Sequence, residues 1–346
     1  MIQKDDELVG VNEIAEMARV SRQAVANWRV RALDFPEPIA DLKSGPVFRR
    51  SQVRSWLRRR KVPMANVFST INMKGGVGKT LTTVALAECF ATEMGKKVLV
   101  IDLDPQTNAT AMLIGEERWR ELNAKEHTLA RLFKDALTPD DKRFDLDATL
   151  QKDVSDVTMW KSVDLLPSSL DLIDVQDQLA TIPSGRFYSV NPIELLWRAV
   201  KSRLDNYDIV LVDCPPNLGI ITLNGLRISQ GYIIPTIPDI LSTYGIPQVV
   251  KRVRDFSEEI GEPIEPLGIA VTKFQVNSIV HANGLRDLRA SKDAPVFKTI
   301  IRQANDYAAA AERTSYSRTL KQKYGYKGLA DKYVKLAHEV LERLEG

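Results

Sequence analysis

Three stretches of this chain are apolar almost without interruption and run into small or acidic residues: "NVFSTIN", "KKVLVIDLD" and "YDIVLVDCPP". Runs of that length, rich in Val and Ile, predict strands buried on both faces, as in a parallel sheet covered by helices. Between the first two, "LTTVALAECFATEMG" predicts a helix closed by Gly95. At the C-terminus, "LADKYVKLAHEVLERLEG" spaces Leu329, Tyr333, Leu336, Val340 and Leu344 at helical intervals, predicting a helix packed by that stripe. Near the N-terminus, "VNEIAEMARVSRQAVANWRVRA" puts Ile14, Ala15, Ala18, Val20, Val25 and Trp28 on the inner faces of two short helices. The expected layout is a small unit over 1–62, a linker at 63–66 and an α/β domain over 67–346. Residues 115–160, polar and irregular with several helical stretches, read as an insertion.

A chain of 346 residues, 44% hydrophobic and 27% charged, can bury the core this layout needs. No apolar run approaches the roughly 20 residues that span a bilayer, and "MIQKDDELVG" lacks the apolar segment of a secretory signal, so a cytoplasmic protein is expected. The final helix carries Glu339, Glu342 and Glu345, which favours core packing over a basic membrane anchor. Cys89 and Cys214 have no second cysteine or histidine at metal-ligand spacing, which argues against a disulfide framework, a zinc site or an iron–sulfur site. Both are expected as buried small side chains. His127, His281 and His338 are scattered and carry no assigned chemistry.

Charge changes the reading of the N-terminal unit. Residues 1–62 hold 13 Lys and Arg against 8 Asp and Glu, a net of +5 that leaves −2 for the rest of a chain whose total is +3. From Lys43 to Lys61 there are eight basic residues and no acidic one. In "ARVSRQ" a tight turn precedes Ser21, a good N-cap, so the two helices have helix-turn-helix spacing. The second helix would present Ser21, Arg22, Gln23 and Asn27 to a major groove, where Arg, Gln and Asn suit guanine and adenine edges. "DFPEPIADLKSGPVFRRSQVRSWLRRR" continues through a Gly-Pro hairpin into a basic helix, an order that resembles the winged helix-turn-helix domains of the MerR and excisionase type. That resemblance puts Arg49 and Arg50 among the phosphate contacts. A small helical protein-binding unit with incidental charge is the competing reading.

The first strand runs into "NMKGGVGKT", and the helix follows at once, the context a phosphate-binding loop requires. The amides of Gly75, Gly76, Val77, Gly78, Lys79 and Thr80 would cradle phosphates, with Leu81 next in the nucleotide-binding set. Lys79 would reach the β and γ phosphates, and the Thr80 hydroxyl would ligate Mg²⁺. The other two strands end in Asp102 with Asp104, and in Asp213, at the sheet edge where α/β proteins bind ligands. Lys74, directly before the glycine pair, is a second lysine that phosphate binding alone does not explain.

The set "KGGVGKT", "VLVIDLDPQTNAT" and "YDIVLVDCPP" closely resembles the deviant-Walker ATPases of the ParA and MinD group, and "DPQ" favours the ParA side. The likeness continues through "GYIIPTIPDILSTYGI", "VFKTIIRQ" and "LAHEVLERL", covering about 66–346. It implies a mostly parallel, doubly wound sheet of the deviant-Walker P-loop type, here preceded by the winged helix-turn-helix unit. It implies ATP and Mg²⁺ as cofactors and a nucleotide-sandwich homodimer in which Lys74 touches the phosphates of the other subunit. By the same resemblance Asp104 positions the attacking water and, through water, the metal; Asp213 holds Mg²⁺ through water; and Asp102 supports the strand end or caps. Further implications are non-specific DNA binding, a ParB-like partner, nucleoid association and, as in plasmid-type partition ATPases, autorepression at operator DNA. Arg289 best matches the family's DNA-binding arginine, within a basic tract that includes "GLRDLRASK", Lys298, Arg302, Arg313, Arg318, Lys321 and Lys323. The usual F-D-x-R-T and I-P-R-N-V-R segments are replaced by "TKFQVNSIVH" and "IRQANDYA", so adenine contacts do not carry over. A nucleotide-sensing transcription regulator and an ATPase that positions a protein cargo are the alternatives.

Overall fold

The computed structural model describes residues 8–345 except 19–21, 32–34, 60–64, 139, 158–162, 180, 182–190, 240–242 and 314–318. The N-terminal unit consists of β1 (Leu8–Val9), α1 (Val11–Met17), α2 (Arg22–Arg31), β2 (Ala40–Leu42), β3 (Gly45–Arg49) and α3 (Arg50–Arg59). β3 pairs antiparallel with β1 on one side and β2 on the other. The β2–β3 hairpin leaves its turn through Gly45, whose φ of 116° suits glycine alone. Ile14, Met17, Val25, Phe48, Val53, Trp56 and Leu57 form a small core of their own. Phe35 closes it with its ring centroid 4.7 Å from that of Trp56.

The second half continues with β4 (Asn66–Thr70), α4 (Lys79–Met94), β5 (Val98–Asp102), α5 (Asn108–Ala124), α6 (Leu129–Leu137), α7 (Leu146–Thr149) and β6 (Val163–Leu166). Then come α8 (Leu172–Leu179), α9 (Leu195–Leu204), β7 (Ile209–Asp213), α10 (Ile220–Ile228), β8 (Gly231–Thr236), α11 (Ile246–Ile260) and β9 (Glu265–Val271). The remaining helices are α12 (Ile279–Ala290), α13 (Asn305–Ala309), α14 (Leu320–Tyr324) and α15 (Leu329–Glu345). The six strands order as β6-β5-β7-β4-β8-β9, and every neighbouring pair is parallel. Alternation along the strands feeds two cores: Val67, Leu99, Ile101, Val210 and Val212 in one, Phe68, Val98, Val100, Ile209 and Leu211 in the other.

α15 lies on α4 and buries Tyr333, Leu336 and Val340, the stripe its spacing predicts. The segment 115–160 is more than a polar insertion. Leu129 and Phe133 of α6 enter one core and Val154 and Val157 the other, while Arg131 pairs with Asp135 at 2.7 Å.

The N-terminal unit is seated on the second half through α3. The Arg50 guanidinium lies 4.7 Å over the Trp197 ring of α9, and Arg54 approaches the same ring at 5.7 Å. Arg50 also comes within 3.9 Å of Asp205 at the end of α9. Arg50 is therefore only 8% exposed, and the expectation that it contacts DNA phosphates is not met in this arrangement. The physical reason is that a guanidinium is flat and weakly hydrated, so an indole face holds it in place of solvent. On either side of the contact lie clefts of about 870 Å³, reaching Arg49 and Glu262, and about 740 Å³, reaching Glu13 and Lys201.

Candidate nucleotide site

β4 ends at Thr70, and the loop to α4 passes through Gly76 and Gly78 at φ of 74° and 84°, where a side chain would strain the backbone. Gly78 is the N-cap of α4, so the loop amides meet the positive end of a 16-residue helix. Lys79 opens that helix, buried, with Nζ 3.4 Å from the Lys74 carbonyl oxygen. Burial pulls its pKa down, and Asp213 and Asp104 oppose the shift.

The sheet register brings the carboxylates to this loop. Asp102 on β5 is the cross-strand neighbour of Asp213 on β7, and Asp213 in turn neighbours Thr70 on β4. Asp213 Oδ1 accepts from the Thr83 hydroxyl at 3.2 Å, whereas Oδ2, fully buried, has no hydrogen-bond partner among the described residues. Burial pushes the Asp213 carboxyl up to about 7; the Thr80 hydroxyl and Lys79 act the other way, and Asp104 adds to the rise. Asp104 is also raised by burial, opposed by the Gln106 amide and by Lys79. Its Oδ1 accepts from that amide at 2.9 Å. An orphaned carboxylate oxygen beside a hydroxyl and a second carboxylate is a hard-oxygen donor set, which suits Mg²⁺ shared with phosphates and water.

Asp102 has a different position. Its Oδ2 accepts from the Thr110 amide at 2.9 Å and hydroxyl at 2.7 Å, and its Oδ1 from the Asp104 amide at 3.1 Å. These bonds tie the strand end to the first turn of α5.

Lys74 is turned elsewhere. Its Nζ lies 3.3 Å from both carboxylate oxygens of Asp239, just after β8, and its amide donates to Asn72 Oδ1 at 2.9 Å. Met73, next to it in the chain, is exposed. Asp239 had no signal in the sequence: nothing about "TIPD" announces a partner for a lysine 165 positions earlier. Two further contacts were also unannounced. The Thr272 hydroxyl donates to the Val77 carbonyl and Lys273 Nζ to the Gly76 carbonyl, each at 2.7 Å.

The candidate DNA residues lie in several places. Arg22 and Gln23 are exposed on the first turn of α2; Ser21 lies outside the described residues, as does the side chain of Asn27. Arg49 is half-buried at the end of β3, and Arg289 is exposed in the last turn of α12. Lys298, Arg302 and Lys321 are exposed, Arg313 donates to the Val154 carbonyl, and Arg318 lies outside the described residues. Lys323 is a correction: it is buried, with Nζ 2.8 Å from Glu88 and 2.6 Å from Asp156, and cannot reach a DNA backbone. Both cysteines are buried, and His281 is buried with Nδ1 accepting from the Gln275 amide.

Residues 65–265 match a family model described as "AAA domain". The chain is 29% identical over 275 residues to the chromosome-partitioning ATPase Soj of Thermus thermophilus, covering 79% of this chain and 94% of that one. It is 27% identical over 241 residues to the sporulation initiation inhibitor protein Soj of Bacillus subtilis, covering 69% and 84%. Its fold is similar to that of cobyrinic acid a,c-diamide synthase from Mycobacterium smegmatis with bound ATP analogue and magnesium, with a TM-score of 0.61, 24% identity, and coverage of 81% and 95%. With the phosphate loop, the strand-end carboxylates and the family match in one place, the chain belongs to this AAA-domain family and is a ParA-type ATPase.

Proposed function

We propose that this ATPase partitions DNA, plasmid or chromosome, as an ATP-sandwich homodimer that binds non-specific DNA, is stimulated by a ParB-like partner and represses its own operon through the N-terminal unit. The observation that carries the dimer is Lys74: a cation on the phosphate loop, partly exposed and held by Asp239 rather than turned toward the loop. A second copy facing Lys74 exchanges the Asp239 contact for phosphates, so dimerisation and ATP occupancy become one event. A cation contributed in trans stabilises the charge of the transferring phosphoryl group.

Within one subunit, the amides of Gly75 to Thr80, followed by Leu81, hold the nucleotide, and Lys79 reaches its β and γ phosphates. Thr80, with Asp213 and Asp104 through water, would hold Mg²⁺, which neutralises charge on the phosphates when bound. Asp104 orients the attacking water. Its ionised form is the useful one, and Lys79 nearby favours that form against burial.

For DNA, α2 supplies Arg22 and Gln23 to a specific site, and Ser21 and Asn27 belong to the same helix by sequence. A dimer presents two such helices, so the operator is palindromic. Arg289 and its neighbours bind any duplex. The ADP form prefers the operator and the ATP form spreads on non-specific DNA, so the protein works at the nucleoid. The test is sedimentation of the full chain with ADP or a non-hydrolysable ATP analogue, alone and with random-sequence duplex at fixed salt. A dimer with the analogue, and a complex with random-sequence duplex in the analogue only, is the expected result. A monomer with both nucleotides, or equal DNA binding with both, refutes the reading.

A further inference from the structure

We propose that Thr272 and Lys273, immediately after β9, are positioning residues of the phosphate loop: they hold it by two successive carbonyls and so aim two successive amides at the nucleotide. A trans peptide is planar, so its C=O and the following N–H point in opposite directions. Lys273 Nζ holds the Gly76 carbonyl and the Thr272 hydroxyl the Val77 carbonyl, both at 2.7 Å. With those carbonyls fixed on the β9 side, the N–H groups of Val77 and Gly78 face the other way. Phosphate oxygens accept from such amides.

The backbone supports this assignment. Lys273 has φ of 47°, one of five non-glycine residues with positive φ among those described. A lysine pays conformational free energy there that glycine would not. The turn is held from both sides: the Thr272 amide donates to the Thr236 carbonyl at 2.9 Å, and the Phe274 amide to the Ile301 carbonyl at 3.0 Å. Thr272 also lies against Gly78, 3.7 Å from the position a Cβ there would take. An ordinary surface lysine needs neither the strained φ nor this scaffold. Both residues open "TKFQVNSIVH", the segment in which this chain departs from the family's usual F-D-x-R-T.

The inference rests on nucleotide binding at the loop, and its test separates the two. Calorimetric titration with Mg²⁺ and ADP, and with a non-hydrolysable ATP analogue, is paired with the thermal midpoint of the nucleotide-free full chain. Thr272→Val and Lys273→Met should each weaken binding by roughly three- to tenfold, the range expected for losing one hydrogen bond that aligns a donor. Thr272→Ser, which keeps the hydroxyl, should restore affinity. Lys273→Gly is the decisive variant: it removes the strain together with the ammonium, so affinity should fall while the midpoint holds or rises. Wild-type affinity in Thr272→Val and Lys273→Met overturns the proposal, as does a loss in Lys273→Gly that only follows a lower midpoint. Failure of the unaltered chain to bind either nucleotide overturns the ATPase reading along with it.

Discussion

Lys74 and Lys79 belong to one loop but to different surroundings: one is partly exposed on Asp239, the other buried between Asp213 and Asp104. Lys74→Ala should leave ATP binding near wild type and abolish hydrolysis, whereas Lys79→Ala should lose binding itself. Equal losses of affinity, measured by titration, would end that division of labour. Asp213 carries a pH signature. Its folded pKa of about 7 is above the ordinary carboxylate value near 3.9, so the folded state holds an extra proton between the two and loses stability as pH rises through that window. Asp213→Asn should therefore raise the thermal midpoint of the nucleotide-free protein at pH 8, with the gain shrinking toward pH 5, while Mg²⁺-dependent hydrolysis is lost. A gain that is larger at pH 5 would reverse the sign and refute it. At this scale the sequence was readable where spacing dictates chemistry, as at Lys79, Thr80 and Asp213. It was not readable where a charged side chain selects its neighbour in three dimensions. Arg50 on Trp197 and Lys323 on Glu88 carry the same letters as phosphate contacts, and only the fold turns them inward.

Among the elements, α4 is held at its N-terminus and at its middle. Its N-terminus carries the phosphate loop, and Glu88, two turns on, is wholly buried against Lys323 and Tyr324 of α14, Ser155 and, through Lys323, Asp156. Burial alone would lower the Lys323 pKa; the two carboxylates outweigh it and raise it. Lys323→Met leaves Glu88 and Asp156 buried without their cation and should destabilise the chain by about 3–5 kcal/mol in urea unfolding. A loss below about 1 kcal/mol would mean that the carboxylates find other partners. β4, β5 and β7 were legible because both faces are buried and each reads as a continuous apolar run; β6, β8 and β9 were not read from the sequence. α4 and α15 were legible from their caps and stripe. The segment 115–160 misled because its helices bury only a residue or two per turn and fix the rest through ion pairs such as Arg131–Asp135, which in sequence look like solvated polarity.

In the whole molecule, the N-terminal unit has its own core and meets the ATPase half through α3 among the described contacts. Trp197→Ala removes the ring on which Arg50 and Arg54 rest. It should leave ATP binding unchanged but broaden the distance distribution between spin labels on Lys43→Cys and Glu259→Cys, an exposed pair in a chain whose own thiols are both buried. A distribution as narrow as that of the labelled parent would show that the stack does not seat the unit. The clefts beside α3 give this joint a mechanical character. Pulling the unit away must separate a guanidinium from an indole face, while the clefts beside α3 leave solvent-filled space between the halves. A joint anchored at one stack with clefts beside it would resist separation more than tilting. Two units carried on a dimer could then adjust their pitch to the groove of a bent or underwound duplex while their separation stayed fixed by the ATPase cores.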